Sequence, residues 1–341
     1  MKNKLNESEI RGRTALLLTG TSESYMQILK AFITMMEERG YERSDLVIFS
    51  PKENVSFLRK FSNEYSFKIA EFKESKDDSE ELFEGQRDFG SSFLISENSF
   101  DPLFGFSGGP VSFARIIKKD GVGDAFYSDY SSLPRPGVNT SATGAVNDMF
   151  SQYSDITSIE FISTNNVVSN VLMGPLFETH TRSSELLSQS SVISVEEKAK
   201  GVIASPGLSH TRSTLSTSLS TLWNSFAALR DRGTIVVLAE SSDGFGSDAM
   251  RLFSLGKLDL KEEIRKKRYT PGLEDLVFLK NLGEKYSVLF ISSLPNYYIE
   301  KTFGFSTARK VSDALRQLLG THGQRTKSYV IPAASEVLLD T

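Results

Sequence analysis

Short β-rich runs alternate with helical stretches along most of the chain, and this alternation limits the possible folds more than any other feature. "TALLLT" (14–19) precedes an amphipathic stretch from Ser22 to Arg39, which Gly40 ends. "DLVIFS" (45–50) leads into a helical 52–63, then come "SFKIAEF" (66–72) and "SSFLIS" (91–96). Strands recurring with helices between them predict βαβ units, hence a parallel sheet covered by helices. The middle is less regular. "DPLFGFSGGP" and "SSLPRPGVNTSATG" (131–144) are Gly/Pro/Ser-rich loops, followed by a helical 145–153 and an apolar strand region at 159–173. From about Ser190 the alternation starts afresh. It runs through "GVIASPG" (201–207), a long helix from Ser213 to Arg232, "GTIVVLAE" (233–240), "SVLFISS" (287–293), a helix at 306–319 and "SYVIPA" (328–333). At 341 residues the chain exceeds the usual single-domain size. The expectation is two α/β domains with mainly parallel sheets, 1–190 and 191–341, hinged near 185–198 and flanking an interdomain cleft.

Composition removes several chemistries. No apolar run approaches the roughly 20 residues of a membrane span, and the polar N-terminus lacks the apolar core of a signal peptide. A cytoplasmic protein without a membrane partner is expected. There is no cysteine, which removes disulfides and thiolate chemistry, and only His180, His210 and His322 are available as imidazoles. No metal site is expected from so few ligands. The net charge of −4 argues against a nucleic-acid partner. The one basic cluster, Lys261 to Tyr269, alternates acid and base at helical spacing and reads as a solvated helix face. The partner expected is a small molecule, and nothing in the sequence sets the oligomeric state.

In open α/β sheets ligands gather beyond the carboxyl ends of the strands. Those ends carry "TGTSES", "SPKEN", "SPGLSH" and "AESSDGFGS". Thr21 and Ser22 can cap a helix whose free N–H groups face outward. Glu240, Asp243 and Gly244 close a buried strand, where Asp243 serves as turn former or ligand contact. His210 is the best-placed histidine for a cleft, and His210 with Asp243 are the weak catalytic candidates. His180 reads as a surface or capping residue, and Trp223, Phe226 and Leu229 as core. The G-x-S-x-G pattern at Gly105, Ser107 and Gly109 can mark a nucleophile elbow. An elbow, however, needs a strand running straight into the first glycine, and Pro102 interrupts the approach. A loop whose missing side chains let its backbone come close to a ligand or to the other domain fits better, with Gly105, Ser107, Gly108 and Gly109 facing the "ESSDGFGS" turn and His210.

"GFSGGPVSFARI" resembles the G-F-S-G-G-x-K signature of the lactate racemase (LarA-like) family, whose members use a nickel-pincer nucleotide. "LPRPGVNTSATGAVNDMF", "IEFISTNNVVSNVLMGPLFETH", "VIASPG" and "GTIVVLAESSDGFGSDAM" are similar to further family segments, so the likeness covers most of residues 14–335. It implies two α/β domains and, for an active member, a racemase or epimerase. The family's functional positions differ here. The lysine that bonds the cofactor is Val111, and the histidine before the first glycine is Asp101. The next histidine falls among 125–131, where none exists. The phosphate-binding Asp and Arg fall near Gly20 and Glu23, the histidine after the second strand near Lys52 or Glu53, and the Gln and Lys of the second domain near Thr217 and Ser220. Racemising a 2-hydroxy acid needs a hydride acceptor and a base on each face of the carbon. The resemblance therefore implies the fold without that chemistry, in a protein that binds a small organic acid or phosphorylated metabolite. The alternatives are an active racemase with a rearranged site, a serine hydrolase using Ser107, and a non-catalytic binding protein.

Overall fold

The structure, a computed structural model, describes residues 12–65, 67–72, 88–130, 134–151, 153, 155–207 and 213–341. The chain forms two compact units. The first comprises Met1–Ser99, Phe106–Ala125 and Asn139–Ser188. The second comprises Phe100–Gly105, Phe126–Val138 and Gln189–Thr341.

In the first unit β1 (Thr14–Leu18), α1 (Glu23–Glu38), β2 (Leu46–Ser50), α2 (Lys52–Tyr65), β3 (Lys68–Glu71) and β4 (Ser91–Glu97) follow the predicted alternation. The chain continues through two-residue strands β5 (Phe100–Asp101) and β6 (Gly105–Phe106) into α3 (Gly109–Ile117), α4 (Lys119–Asp129) and α5 (Ser141–Phe150). A hairpin of β7 (Ile156–Thr164) and β8 (Val167–Pro175) then leads into α6 (Leu176–Ser191). Asn165 and Asn166 make its two-residue turn, both at positive φ, as a hairpin of this length demands. The six-stranded sheet has the order β3-β2-β1-β4-β7-β8, parallel except for the β7–β8 pair.

Side chains alternate between the two faces of each strand. Leu16, Leu18, Ile48, Phe93, Ile95, Ile159 and Phe161 meet the buried side of α1 on one face. Each such fully buried apolar side chain contributes about 1.5–3 kcal/mol. Alternation puts Leu94, Ser96, Ser158 and Glu160 on the opposite face, and α3 packs over β4 and β7. There the rings of Phe113 and Phe150 stack at 5.6 Å.

The C-terminal part of the second unit starts with β9 (Val192–Ser194) and β10 (Ala199–Ala204). Next come α7 (Leu215–Ser218), α8 (Ser220–Trp223), β11 (Leu229–Leu238), α9 (Asp248–Ser254), α10 (Leu260–Lys266), α11 (Leu273–Gly283), β12 (Ser287–Ile291), β13 (Ser306–Thr307), α12 (Val311–His322), β14 (Ser328–Ile331) and β15 (Leu338–Asp340). Its five-stranded parallel sheet has the order β13-β12-β11-β10-β14, while β15 pairs with β9 alone. Ile203, Val236 and Leu289 pack against Ala314 and Leu318 of α12. Trp223 and Leu229 are buried and Phe226 half-buried, with Trp223 edge-on to Phe278 at 5.8 Å. The basic cluster is solvated, its Lys266 and Arg268 paired with Glu262 and Glu263.

Two elements depart from expectation: of the helix predicted at 306–319, residues 306–307 form β13, and the helix itself, α12, runs from Val311 to His322. The long helix predicted from Ser213 to Arg232 is two single turns, α7 and α8, followed by a 3-10 turn and the start of β11 at Leu229. Its serines and threonines bond the local backbone instead: Thr217 and Ser218 donate to the Thr214 carbonyl, and Ser220 to that of Thr217. Such bonds compete with helix propagation.

The Nε2 of His322 lies 2.8 Å from Thr234 Oγ1. Desolvation, and then the charge of Lys200, hold this imidazole below its ordinary pKa. The unfolded chain therefore takes up the proton first, so the contribution of His322 is complete above about pH 6.5 and is lost as the pH falls below it. His322→Gln is expected to remove that part of the acid sensitivity. Urea midpoints measured across this range check it, and an unchanged pH slope would refute it.

Candidate functional site

The strand order of the first unit reverses direction between β1 and β4, and such a switch point is where open α/β sheets bind ligands. Three segments end there: the Thr19–Ser22 turn after β1, Glu97 to Ser99 after β4, and the GFSGG turn into α3.

Tyr25 ties the first two together. Its hydroxyl accepts from the Glu97 N–H at 2.9 Å and lies 2.8 Å from Thr19 Oγ1. Thr19 Oγ1 itself donates to the Ile95 carbonyl, so the phenol is the donor to Thr19. Burial first, and the Glu97 carboxylate second, push the Tyr25 phenol well above its ordinary pKa. Gly20 fits the ring closely, since a Cβ there would meet Tyr25 Cε2 at 2.6 Å. Ser22 is the N-cap of α1, accepting from the Tyr25 N–H at 3.3 Å, and Thr21 donates to Asn54 Oδ1 at 3.2 Å. Tyr25→Phe removes the acceptor for the buried end of β4. A loss of about 1–3 kcal/mol is expected, read from the urea midpoint; a change within error would mean that water replaces the phenol.

Gly108 and Gly109 of the GFSGG turn sit on a carboxylate of their own unit. Glu160 of β7 is fully buried. Asn98 Nδ2 donates to its Oε2 at 3.3 Å and to Ser184 Oγ at 3.2 Å. His180 Nδ1 lies 3.2 and 3.3 Å from the two carboxylate oxygens. A Cβ added to Gly109 would collide with Glu160 Oε1, and one on Gly108 would lie 3.1 Å from Oε2 and from the Glu97 carbonyl. Both glycines have positive φ. Ser96, opposite Glu160 in the β4–β7 register, accepts from the Gly109 N–H at 2.6 Å. The carboxylate thus lies at the first residue of α3, at the positive end of the helix dipole.

This explains the glycines and corrects the expectation for His180. That residue is 6% exposed and paired with Glu160, not on the surface. The α6 helix turns it inward because β8 delivers the chain back over the Glu160 face of the sheet. Its Nε2 has no hydrogen-bond partner among the described residues.

Ser107 is half-buried and tied to Ser99 by three contacts. Its N–H donates to the Ser99 carbonyl at 2.7 Å, its Oγ accepts from the Ser99 N–H at 3.1 Å, and the two hydroxyls lie 2.8 Å apart. The two described histidines, His180 and His322, bond elsewhere. A fluorophosphonate probe is expected to leave Ser107 unlabelled by peptide mass spectrometry; stoichiometric labelling would restore the hydrolase reading. Gly105 belongs to the second unit and Ser107, Gly108 and Gly109 to the first.

Glu240, Asp243 and Gly244 lie in the second unit, at the carboxyl end of β11. The Glu240 carbonyl accepts from the N–H and Oγ of Ser293, and its side chain is exposed. Asp243 accepts from the Ser213 hydroxyl, and its N–H donates to the Ser213 carbonyl at 3.1 Å. The Gly244 carbonyl accepts from Leu215 N–H, pinning the turn to α7. His210 falls in 208–212, outside the described residues.

Sequence reasoning passed over Tyr25, Asn98 and Glu160. The signal for Glu160 was present, a lone carboxylate inside the apolar strand "IEFIS". Among the described residues no group of three or more His, Cys, Asp or Glu is placed to hold a metal ion, and no helix is long and apolar enough to cross a membrane. Val111 is fully buried. Asp101 is buried, its Oδ1 accepting from Leu103 and Phe104 N–H at 2.8 Å each.

No family model matches the sequence, and no curated protein does. Solved structures do match. The lactate racemase apoprotein from Thermoanaerobacterium thermosaccharolyticum is similar with a TM-score of 0.76 and 14% identity, over 98% of this chain and 88% of that one. A protein from Thermotoga maritima is similar with a TM-score of 0.69 and 13% identity, over 98% of this chain and 95% of that one. The chain has the mixed α/β, mainly parallel fold of lactate racemase, the LarA-like fold.

Proposed function

We propose that this protein binds a small organic acid or phosphorylated metabolite on the LarA-like fold and does not perform nickel-pincer racemase chemistry. The observation that carries the second half is Val111. At the position where the resemblance places the cofactor-bonding lysine, a fully buried aliphatic side chain offers no nucleophile. The committed carboxylate of Asp101 supports the same reading. The ligand half rests on the switch point. There Gly20, Thr21 and Ser22 open the N-terminus of the 16-residue α1, whose first-turn N–H groups favour an anion. One similar structure is that of a lactate racemase, and lactate is a 2-hydroxy acid and such an anion.

The test has two arms. Freshly purified protein is analysed by native mass spectrometry for a co-purifying acid, and its thermal midpoint is followed with lactate and with phosphorylated hydroxy acids. A midpoint rise that Thr21→Val abolishes is expected. In the second arm the protein is incubated with the nickel-pincer nucleotide and lactate, and no racemisation and no covalent adduct are expected. Turnover or an adduct would overturn the loss of chemistry, while silence of every acid in the first arm would overturn the ligand class.

A further inference from the structure

A groove of about 1160 Å³ runs along β14 in the second unit. One wall is β14 itself, the last strand of its sheet. Among the described residues β14 pairs with β10 alone, so its other side has no strand partner there. The other wall is the segment from Ile193 to Lys200. It is fastened to β14 by Tyr329 OH, which donates to the Glu197 carbonyl at 2.8 Å, and by the Lys327–Glu197 ion pair at 3.0 Å. Arg230 holds its far side, donating to the Lys198 carbonyl at 2.6 Å.

Two properties select an occupant. The first is apolar: Val330, at 69% exposure, and Ile193, at 47%, are among the most exposed large aliphatics of the chain, and both line the groove. The second is charge. Lys198, Lys200, Arg230 and Lys327 line it against only Glu196 and Glu197, a positive excess on a chain whose net charge is −4. Glu197 is further neutralised by Arg230 and Lys327, which hold its pKa low, Lys327 being the larger cause.

We propose that this groove binds an extended acidic peptide, in which aliphatic and acidic residues alternate, as an added strand on β14. Backbone pairing supplies the register, as in other strand additions. The period of two sends aliphatic side chains to Val330 and Ile193 and carboxylates to the lysines. A second copy of this chain is disfavoured as occupant because edge-to-edge pairing would bring the same cations together.

The test uses the full chain and a fluorescein-labelled heptapeptide alternating valine and glutamate, followed by anisotropy at low salt. Saturable binding is expected, weakened at least tenfold by the double variant Lys198→Glu/Lys327→Glu, which should instead accept the valine–lysine counterpart. N-methylation of alternate peptide amides on either edge is expected to abolish binding in one of the two frames. Equal binding of both methylated frames would overturn strand addition in favour of a side-chain pocket. No binding at millimolar peptide would overturn the site. A concentration-dependent dimer that Val330→Glu dissolves, seen by sedimentation, would overturn the occupant and assign the edge to a second copy.

Discussion

Gly109→Ala is expected to destabilise the protein by about 3–5 kcal/mol, the range for disrupting a buried charged pair. The added methyl falls on Glu160 Oε1, and at φ +38 the backbone already strains an L side chain. Asn98 and His180 bond the carboxylate in this position, so moving it aside disturbs those contacts. Denaturant unfolding reads the loss, and a double-mutant cycle identifies its cause. In a Glu160→Ala background the same glycine substitution should cost much less, with a coupling of about 0.5–3 kcal/mol between contacting residues. Purely additive costs would mean that backbone strain alone, not the carboxylate, demands glycine at 109.

His180→Ala should have a comparable effect, about 3–5 kcal/mol, for a different reason: it removes one of the two side chains that bond the buried Glu160 and leaves it to Asn98. His180→Gln, whose amide can still donate to the carboxylate, is expected to recover part of the loss. Neutralising the stranded charge should recover part as well, so His180→Ala/Glu160→Gln is expected to be more stable than His180→Ala alone. If the double variant is the less stable, the cost of His180→Ala does not come from a stranded charge.

Most strands of both sheets are legible in the sequence because buried parallel strands are continuous apolar runs, as in "TALLLT", "DLVIFS" and "GTIVVLAE". α1 is legible from its apolar stripe between Ser22 and Gly40. Less legible is the Ser/Thr-dense stretch after Ser213, where apolar spacing suggests a helix while side-chain hydroxyls compete for the same carbonyls. The buried cluster is hidden for another reason. Glu160, His180 and Asn98 are far apart in sequence, and only the β4–β7 register and the return of the chain through β8 into α6 bring them together. The glycines at 108 and 109 announce that something approaches closely, but not what. A ligand phosphate and a carboxylate of the same chain leave the same mark in the sequence.

The interleaving of the two units bears on how the chain matures during synthesis. Phe100–Gly105 and Phe126–Val138 leave the ribosome with the first unit yet pack with the second. They carry Phe100, Leu103, Phe104 and Phe126, all buried in the finished protein. Tyr127, whose hydroxyl ends up donating to the carbonyls of Glu263 and Arg268, must wait for more than a hundred further residues to be translated. Until then these greasy side chains have no permanent home. A nascent chain stalled after residue 188 would therefore carry these apolar side chains without the later residues of the second unit, among which they are buried in the finished protein.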